Sequence, residues 1–153
     1  ALHDLGQHGL VHRDVKPPNI MIQPAGQCVL VDFGLAKGSG DISITSSGEL
    51  IGTGPYLAPE VIHGPGAESM ASDLYSLGAS VYEILTGKLP FAGEGHILFH
   101  RIASGSRPPS LTSLRPELPP ALVTLIEELM QADPKLRLKD PLEVARRFGA
   151  LAD

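Results

Sequence analysis

The chain of 153 residues contains a single cysteine, Cys28. One thiol cannot form an internal disulfide or a cysteine-built zinc site, so disulfide scaffolds and zinc fingers are excluded as classes. Because chains without disulfides are typical of reducing compartments, we expect a cytoplasmic protein, with any membrane anchor of a longer parent outside this segment. Cys28 is then expected to be a small core residue.

Long apolar runs and an excess of positive charge are also missing. No run approaches the roughly 20 apolar residues of a membrane span, and no basic-then-apolar signal opens the chain, so we expect no membrane contact from this segment. The 12 basic and 17 acidic residues give a net charge of −5. This balance argues against nucleic acid or an anionic membrane surface as the main partner.

Glycine and proline, by contrast, are abundant. The 17 Gly and 14 Pro make up 31 of the 153 residues, about a fifth of the chain, where about 12% is usual. Such a composition predicts short elements joined by functional loops. The length corresponds to one domain with a core of its own.

A β-hairpin is predicted near the start of the chain. Ile20–Ile22 and residues 29–31 are short β-branched apolar runs, and the turn between them contains Pro24 and Gly26. The hairpin carries Asn19 just before its first strand and Asp32 just after its second. These two polar side chains should therefore emerge at the same end of the ribbon.

The second half of the chain has helical periodicity. Apolar residues recur at three- and four-residue steps between Ser69 and a glycine stop at Gly87. The pattern returns after Pro119-Pro120, and Asp140-Pro141 opens a last helix that ends near Phe148. Before these helices, residues 37–54 form a long polar loop, and loops of that length are usually functional or disordered. The predicted class is α+β, mainly α-helical. The periodic residues of the first helix are Leu74, Leu77, Gly78, Val81, Ile84 and Leu85.

Three short motifs carry chemistry. Residues 12–19 fit His-Arg-Asp-x-Lys-Pro-x-Asn, and a chance match at six fixed positions occurs roughly once in ten million starts at average residue usage. Downstream follow, in order, Asp32-Phe33-Gly34 and Ala58-Pro59-Glu60. The chain resembles the C-terminal lobe of a Hanks-type serine/threonine protein kinase. The sequence that leads into its Ala-Pro-Glu motif is similar to that of bacterial members of the family. The resemblance implies one kinase domain over residues 1–153, with a catalytic loop at 11–19, an activation segment at 32–60 and a helical subdomain at 69–150.

The resemblance implies roles for the polar residues. Asp14 would accept the proton of the substrate hydroxyl, and Lys16 would steady the γ-phosphate of ATP. Asn19 and Asp32 would bind Mg²⁺, a hard cation that prefers oxygen ligands. Met21 corresponds to a position beneath the adenine ring, although a place in the hairpin core is the alternative. The implied cofactors are ATP and Mg²⁺, and the implied partners are protein substrates.

Other matched positions are expected to be structural. By resemblance, His12 packs on Phe33, and Asp73 anchors the backbone around His12. Glu60 and Arg137 would form an ion pair between the Ala-Pro-Glu motif and the loop before the last helix. A further pair, His96 and His100, stands at i, i+4 spacing on a predicted helix. Without a third ligand that pair is not expected to bind metal.

Lys16 and Thr53 indicate serine and threonine hydroxyls as acceptors, because serine/threonine kinases place these residue types around the incoming hydroxyl. Arg13, directly before Asp14, is typical in this family of kinases that are switched on by phosphorylation of the activation segment. Lys37 would add a second positive charge. Thr45 and Ser47 are the expected phosphate acceptors.

The Gly-rich phosphate loop and the strand lysine of the family have no counterpart in these residues. We therefore expect the N-terminal lobe to be absent from this chain and the isolated segment to be inactive. Two alternatives remain open. One is a pseudokinase or interaction module, and the other is a small-molecule phosphotransferase of the aminoglycoside type, which shares an Asp and an Asn at similar spacing.

Overall fold

The computed structural model describes residues 1–32, 54–64 and 66–151. Within these residues the chain forms seven α-helices and one two-stranded sheet, which confirms the mainly helical α+β class. Two 3₁₀ turns, Pro17–Asn19 and Gly54–Tyr56, lie between these elements. The helices and strands are α1 Leu2–Gln7, β1 Ile20–Ile22, β2 Cys28–Leu30, α2 Pro59–His63, α3 Met70–Thr86, α4 Gly95–Ala103, α5 Leu111–Leu114, α6 Pro120–Leu129 and α7 Pro141–Gly149.

The hairpin is antiparallel and pairs Ile20 with Leu30 and Ile22 with Cys28. Its second strand begins one residue earlier than predicted. Gly26 has φ 80° in the connecting turn, a left-handed conformation that favours glycine. The prediction that Cys28 is a core residue is wrong, because Cys28 is exposed. It lies opposite Ile22 in the last pair of the ribbon, and Ile22 is itself 73% exposed.

The long helix α3 has well-defined ends. Ser69 is its N-cap: the Ser69 side chain accepts a hydrogen bond from the Ser72 N–H, and the Ser72 hydroxyl accepts one from the Ser69 N–H. At the other end Gly87 has φ 68° and its N–H donates to the Glu83 carbonyl. These caps confirm the predicted bounds and make α3 the longest helix in the described part of the chain.

One face of α3 is fully buried. Leu74 packs with Leu125 and Leu129 of α6 and with Val144 of α7. Further along, Tyr82 packs with residues of α5 and α6. Because α3 contacts the helices around it along this face, it forms the centre of the helical region.

The periodicity assigned one residue of α3 to the wrong face. Ile84 was expected among the apolar contacts, but 59% of its surface is exposed. Tyr75 and Tyr82 are buried instead, at 2% exposure each. The buried stripe is offset from the predicted one because α3 carries apolar residues around most of its circumference, and packing selects among them.

The ends of α6 and α7 follow local sequence signals. Pro120 occupies the first turn of α6, where its missing N–H has no intrahelical partner to lose. Asp140 caps α7 by accepting the Leu142 N–H at 2.9 Å. Both predicted helices are confirmed. None of the helices among the described residues is long and apolar enough to cross a membrane.

One contact between α3 and the end of α6 requires a glycine. A Cβ atom at Gly78 would lie 2.9 Å from Leu129 Cβ and 2.9 Å from Met130 Cγ. The Cβ atom of Leu129 cannot swing away, because it is fixed to the backbone of α6. The backbone of α3 at Gly78 therefore packs directly against the side chains of Leu129 and Met130.

We predict that Gly78→Ala lowers the free energy of unfolding by about 1–3 kcal/mol, the usual cost of overpacking. Chemical denaturation of the purified protein measures this. Gly149→Ala is the matched control, because Gly149 is also helical and no atom lies within 4 Å of its added Cβ. Equal stability of the two variants would contradict the close packing of α3 on α6.

Candidate functional site

Two non-glycine residues in the described part of the chain have left-handed backbone conformations, and both belong to the polar segments singled out above. Arg13 has φ 67° and Asp32 has φ 56°. Non-glycine residues rarely adopt the left-handed region of backbone conformation. Where they do, the surrounding structure usually enforces it, often at a functional site. The structure thus marks residues 11–19, called here the 11–19 loop, and the end of the hairpin.

Asp73 of α3 holds the left-handed part of the 11–19 loop. Its Oδ2 accepts the His12 N–H at 2.6 Å, and its Oδ1 accepts the Arg13 N–H at 2.9 Å. The residue is 1% exposed. Burial raises the pKa of the Asp73 carboxyl, and the two N–H donors only partly oppose this. Since its folded-state pKa is raised, ionisation of Asp73 costs stability as the pH rises above the unfolded-state value.

His12 links the 11–19 loop to the end of the hairpin. Its ring is buried, and Nδ1 lies 3.3 Å from the Asp14 backbone N–H, which can only donate. Nδ1 is therefore the acceptor, and Nε2 carries the proton and donates to the Val31 carbonyl at 3.2 Å. Both nitrogens of the ring are used to join backbone segments.

Asp14, Lys16 and Asn19 form a compact polar cluster. Asp14 Oδ2 lies 3.1 Å from Lys16 Nζ and 3.1 Å from Asn19 Nδ2. The same Asn19 amide donates to the Asp14 backbone carbonyl at 2.8 Å. Asp14 and Asn19 are both buried. The 3₁₀ turn Pro17–Asn19 brings them together, because its prolines restrict φ and the Asn19 N–H closes on the Lys16 carbonyl.

Asn19 and Asp32 lie at the same end of the hairpin. The Val31 N–H donates to the Asn19 carbonyl at 2.9 Å, directly beyond the Ile20–Leu30 pair of the ladder, and Asp32 is the next residue. The side chains offer an amide oxygen and a carboxylate, the ligand types that Mg²⁺ prefers. The described residues contain no group of three or more His, Cys, Asp or Glu side chains that could hold a metal. This donor set fits an ion that shares its coordination with phosphate oxygens.

Met21 and the two histidines that are not expected to bind metal all lie on the surface. Met21 lies in β1 with 56% of its surface exposed, which rules out the alternative that it belongs to the hairpin core. His96 and His100 are both in α4, and both are exposed.

Arg137 and Glu60 form a buried ion pair. Arg137 Nη1 lies 2.5 Å from Glu60 Oε1, and Nη2 lies 2.9 Å from Oε2, with the Arg137 side chain fully buried. The guanidinium also lies 4.9 Å from the centre of the Tyr75 ring. Its remaining hydrogen bonds go to backbone carbonyls, so all its donor atoms have partners. The backbone carbonyls that accept from Arg137 belong to Ala71, Gln131 and Ala132. The ion pair joins α2 to the segment before α7.

Five predicted residues lie outside the described part of the chain: Phe33, Lys37, Thr45, Ser47 and Thr53. Their expected roles stay predictions.

A contact between α3 and the 3₁₀ turn Gly54–Tyr56 was not expected. The Tyr56 hydroxyl donates to Glu83 Oε2 at 2.6 Å, and the Ser76 hydroxyl donates to the Tyr56 carbonyl at 2.8 Å. Ser76 and Glu83 belong to none of the three motifs. Their spacing in the sequence resembles that of any solvated helical face, so no local signal distinguishes them.

Comparison with known proteins agrees with the motifs. Residues 1–146 match the protein kinase domain family. The chain is 45% identical over 131 residues to the serine/threonine-protein kinase PknA of Mycobacterium tuberculosis. The aligned region covers 86% of this chain and 30% of that protein. It is 37% identical over 145 residues to PknL of the same species, with 95% and 36% covered.

A more distant relative is the probable serine/threonine-protein kinase PknB of Lactococcus lactis, 34% identical over 137 residues, with 90% of this chain and 22% of that protein covered. The chain thus spans between 22 and 36% of the length of these relatives. A match of this extent favours protein kinases over the small-molecule phosphotransferases that share an Asp and an Asn. The chain belongs to the protein kinase domain family, and the three relatives described above are named as bacterial serine/threonine-protein kinases, one of them as a probable one.

Proposed function

We propose that the full-length protein transfers the γ-phosphoryl group of ATP to serine and threonine hydroxyls of proteins. In this proposal the present chain is the C-terminal lobe, and an N-terminal lobe completes the nucleotide site in the full-length protein. The observation that carries the proposal is the buried cluster of Asp14, Lys16 and Asn19 in a chain of the protein kinase family.

Asp14 is the proposed catalytic base. Phosphoryl transfer needs little covalent chemistry from the protein and depends on positioning and charge. The Asn19 amide donates to both the side chain and the backbone of Asp14, so the carboxylate has little freedom to rotate. Such a fixed carboxylate suits the task of orienting a hydroxyl and accepting its proton. Lys16, 3.1 Å from the carboxylate, supplies the positive charge for the γ-phosphate.

Asn19 and Asp32 are the proposed Mg²⁺ ligands, and Asp32 opens the Asp-Phe-Gly motif. When bound, the ion would neutralise charge on the phosphate oxygens. The left-handed conformation of Asp32 and the hydrogen bond from Val31 to Asn19 support this assignment, because both orient the residues from one end of the hairpin. The exposed side chain of Met21 supplies an apolar surface for the adenine ring. Thr53 is proposed to position the substrate hydroxyl, and the protein is proposed to act in the cytoplasm.

We expect Asp14→Asn to lower the rate of phosphoryl transfer by about 10²- to 10⁴-fold, the usual contribution of a positioned base. The assay follows transfer from ATP to a serine- and threonine-containing protein by the full-length protein. Asp133→Asn is the control, since Asp133 is exposed and lies outside the site. An inactive wild type, or near-normal turnover by Asp14→Asn, would contradict the proposed function.

Control of the enzyme is proposed to act through Arg13. Arg13 lies in the 11–19 loop, where it is exposed and its backbone N–H is bound by Asp73. The guanidinium can therefore reach a phosphate without displacing the loop. Lys37 would contribute a second positive charge. We expect mass spectrometry of the active full-length protein to find phosphate on Thr45 or Ser47, and Arg13→Ala to reduce the activation that this phosphate brings. Full activity of protein without phosphate in this segment would contradict the switch.

A further inference from the structure

One exposed serine in the described part of the chain lies outside every helix and helix cap. Ser106 stands in the connection between α4 and α5, residues 104–110, called here the 104–110 segment. Every other exposed serine or threonine among the described residues belongs to a helix or caps one, so its hydroxyl is tied to helical structure. These residues are Ser104, Ser110, Thr112, Ser113 and Thr124.

The backbone that follows Ser106 is extended. Pro108 and Pro109 fix two φ angles, and a proline disfavours helical backbone in the residue before it, here Arg107 and Pro108. Ser110 has φ −61° and ψ 131°. No backbone–backbone hydrogen bond between described residues uses Ser106 or Arg107. The hydroxyl of Ser106 can therefore enter a catalytic cleft without breaking a helix or a sheet.

Both ends of the 104–110 segment are anchored to helices. The Gly105 N–H donates to the Ile102 carbonyl of α4 at 3.1 Å, and the Tyr82 hydroxyl of α3 donates to the Pro109 carbonyl at 2.9 Å. The residues between these anchors are held in their extended form before any partner arrives. Docking of this segment therefore costs little conformational entropy.

The same anchors keep Ser106 away from Asp14 of its own chain. Asp73 of α3 holds the 11–19 loop, and Tyr82, which holds Pro109, is nine residues later on the same helix. That spacing is about 13 Å along a helix at 1.5 Å per residue. Since α3 is buried and capped at both ends, it keeps the two anchor points apart. Phosphoryl transfer to Ser106 therefore requires a second copy of the protein.

We propose that Ser106 is a phosphorylation site that is modified by a second copy of this protein. In this step the Ser106 Oγ forms a bond to the γ-phosphorus of ATP, and the bond from that phosphorus to ADP breaks. The hydroxyl proton passes to Asp14 of the copy that acts as the enzyme, and ADP leaves. The inference rests on the proposed function, which supplies ATP as the phosphoryl donor.

A phosphate on Ser106 would change the charge of a neighbouring cleft. Ser106 and Arg107 line a cleft of about 550 Å³ between the 104–110 segment and the end of α6, with Tyr82 and Ile126 also in its lining. The modification adds about −1.5 to −2 charges. The charge beside Arg107 would thus change from positive to neutral or negative.

Mass spectrometry of a labelled acceptor tests the proposal. Full-length Asp14→Asn protein, grown with heavy nitrogen, is mixed with unlabelled full-length wild type, ATP and Mg²⁺. The labelled chain should gain phosphate on Ser106, and Ser106→Ala in the labelled chain should abolish this signal. Ser106→Thr keeps a hydroxyl at this position and should retain the signal. Its initial rate should exceed that at Thr124 by about tenfold or more, because Thr124 becomes extended only when α6 opens.

The outcomes separate this inference from the proposed function. A wild type that phosphorylates no protein contradicts the proposed function and removes the basis of this inference. An active wild type that leaves the labelled Ser106 without phosphate overturns this inference alone. Phosphate on Ser106 of unlabelled chains only also overturns it, because the transfer then occurs within one chain. Equal rates at position 106 in Ser106→Thr and at Thr124 overturn the argument from the extended segment.

Discussion

The constraint on which the site depends is the pair of hydrogen bonds from the backbone of His12 and Arg13 to the buried carboxylate of Asp73. The left-handed conformation of Arg13 costs on the order of 1–3 kcal/mol. Two backbone hydrogen bonds contribute roughly 0.5–1.5 kcal/mol each, a sum of the same size as that cost. The direction in which the chain leaves Arg13 is thereby set, and Asp14 is the next residue.

Other contacts of the site follow from this one. The backbone of His12 is held by Asp73 while its ring bridges Asp14 and Val31, and this bridge ties the loop to the residue before Asp32. Asn19 closes the arrangement from the other side of the loop by binding Asp14. A single helix, α3, therefore helps to position the 11–19 loop and, through His12, the end of the hairpin, although these segments are far from α3 in sequence.

Features with local signals could be predicted from the sequence. Ser69 and Gly87 mark the ends of α3 because capping depends on the residue and its immediate neighbours. The hairpin was predicted to within one residue, since its β-branched runs flank a turn that contains proline and glycine. The motif around Asp14 identified the family because its spacing reflects a fixed chemical arrangement. In each case the information lies within a few residues.

Features decided by tertiary packing could not be predicted. Ile84 is exposed and Tyr82 is buried because α5 and α6 cover only one face of a helix that carries apolar residues around most of its circumference. Cys28 is exposed because it stands at the end of a ribbon that no described residue covers at that point. The role of Ser76 depends on where the Gly54–Tyr56 turn arrives, which nothing near Ser76 in the sequence reveals.

The most direct test of the account is amide hydrogen exchange at His12 and Arg13 in the wild type and in Asp73→Ala. Loss of the acceptor should speed exchange at both amides by about 10- to 100-fold relative to amides of α6, as expected for one lost hydrogen bond to a buried carboxylate. Asp133→Ala, which removes an exposed carboxylate that accepts the Lys135 N–H, should leave them unchanged. Equal protection of His12 and Arg13 with and without Asp73 would contradict the claim that this carboxylate holds the site together.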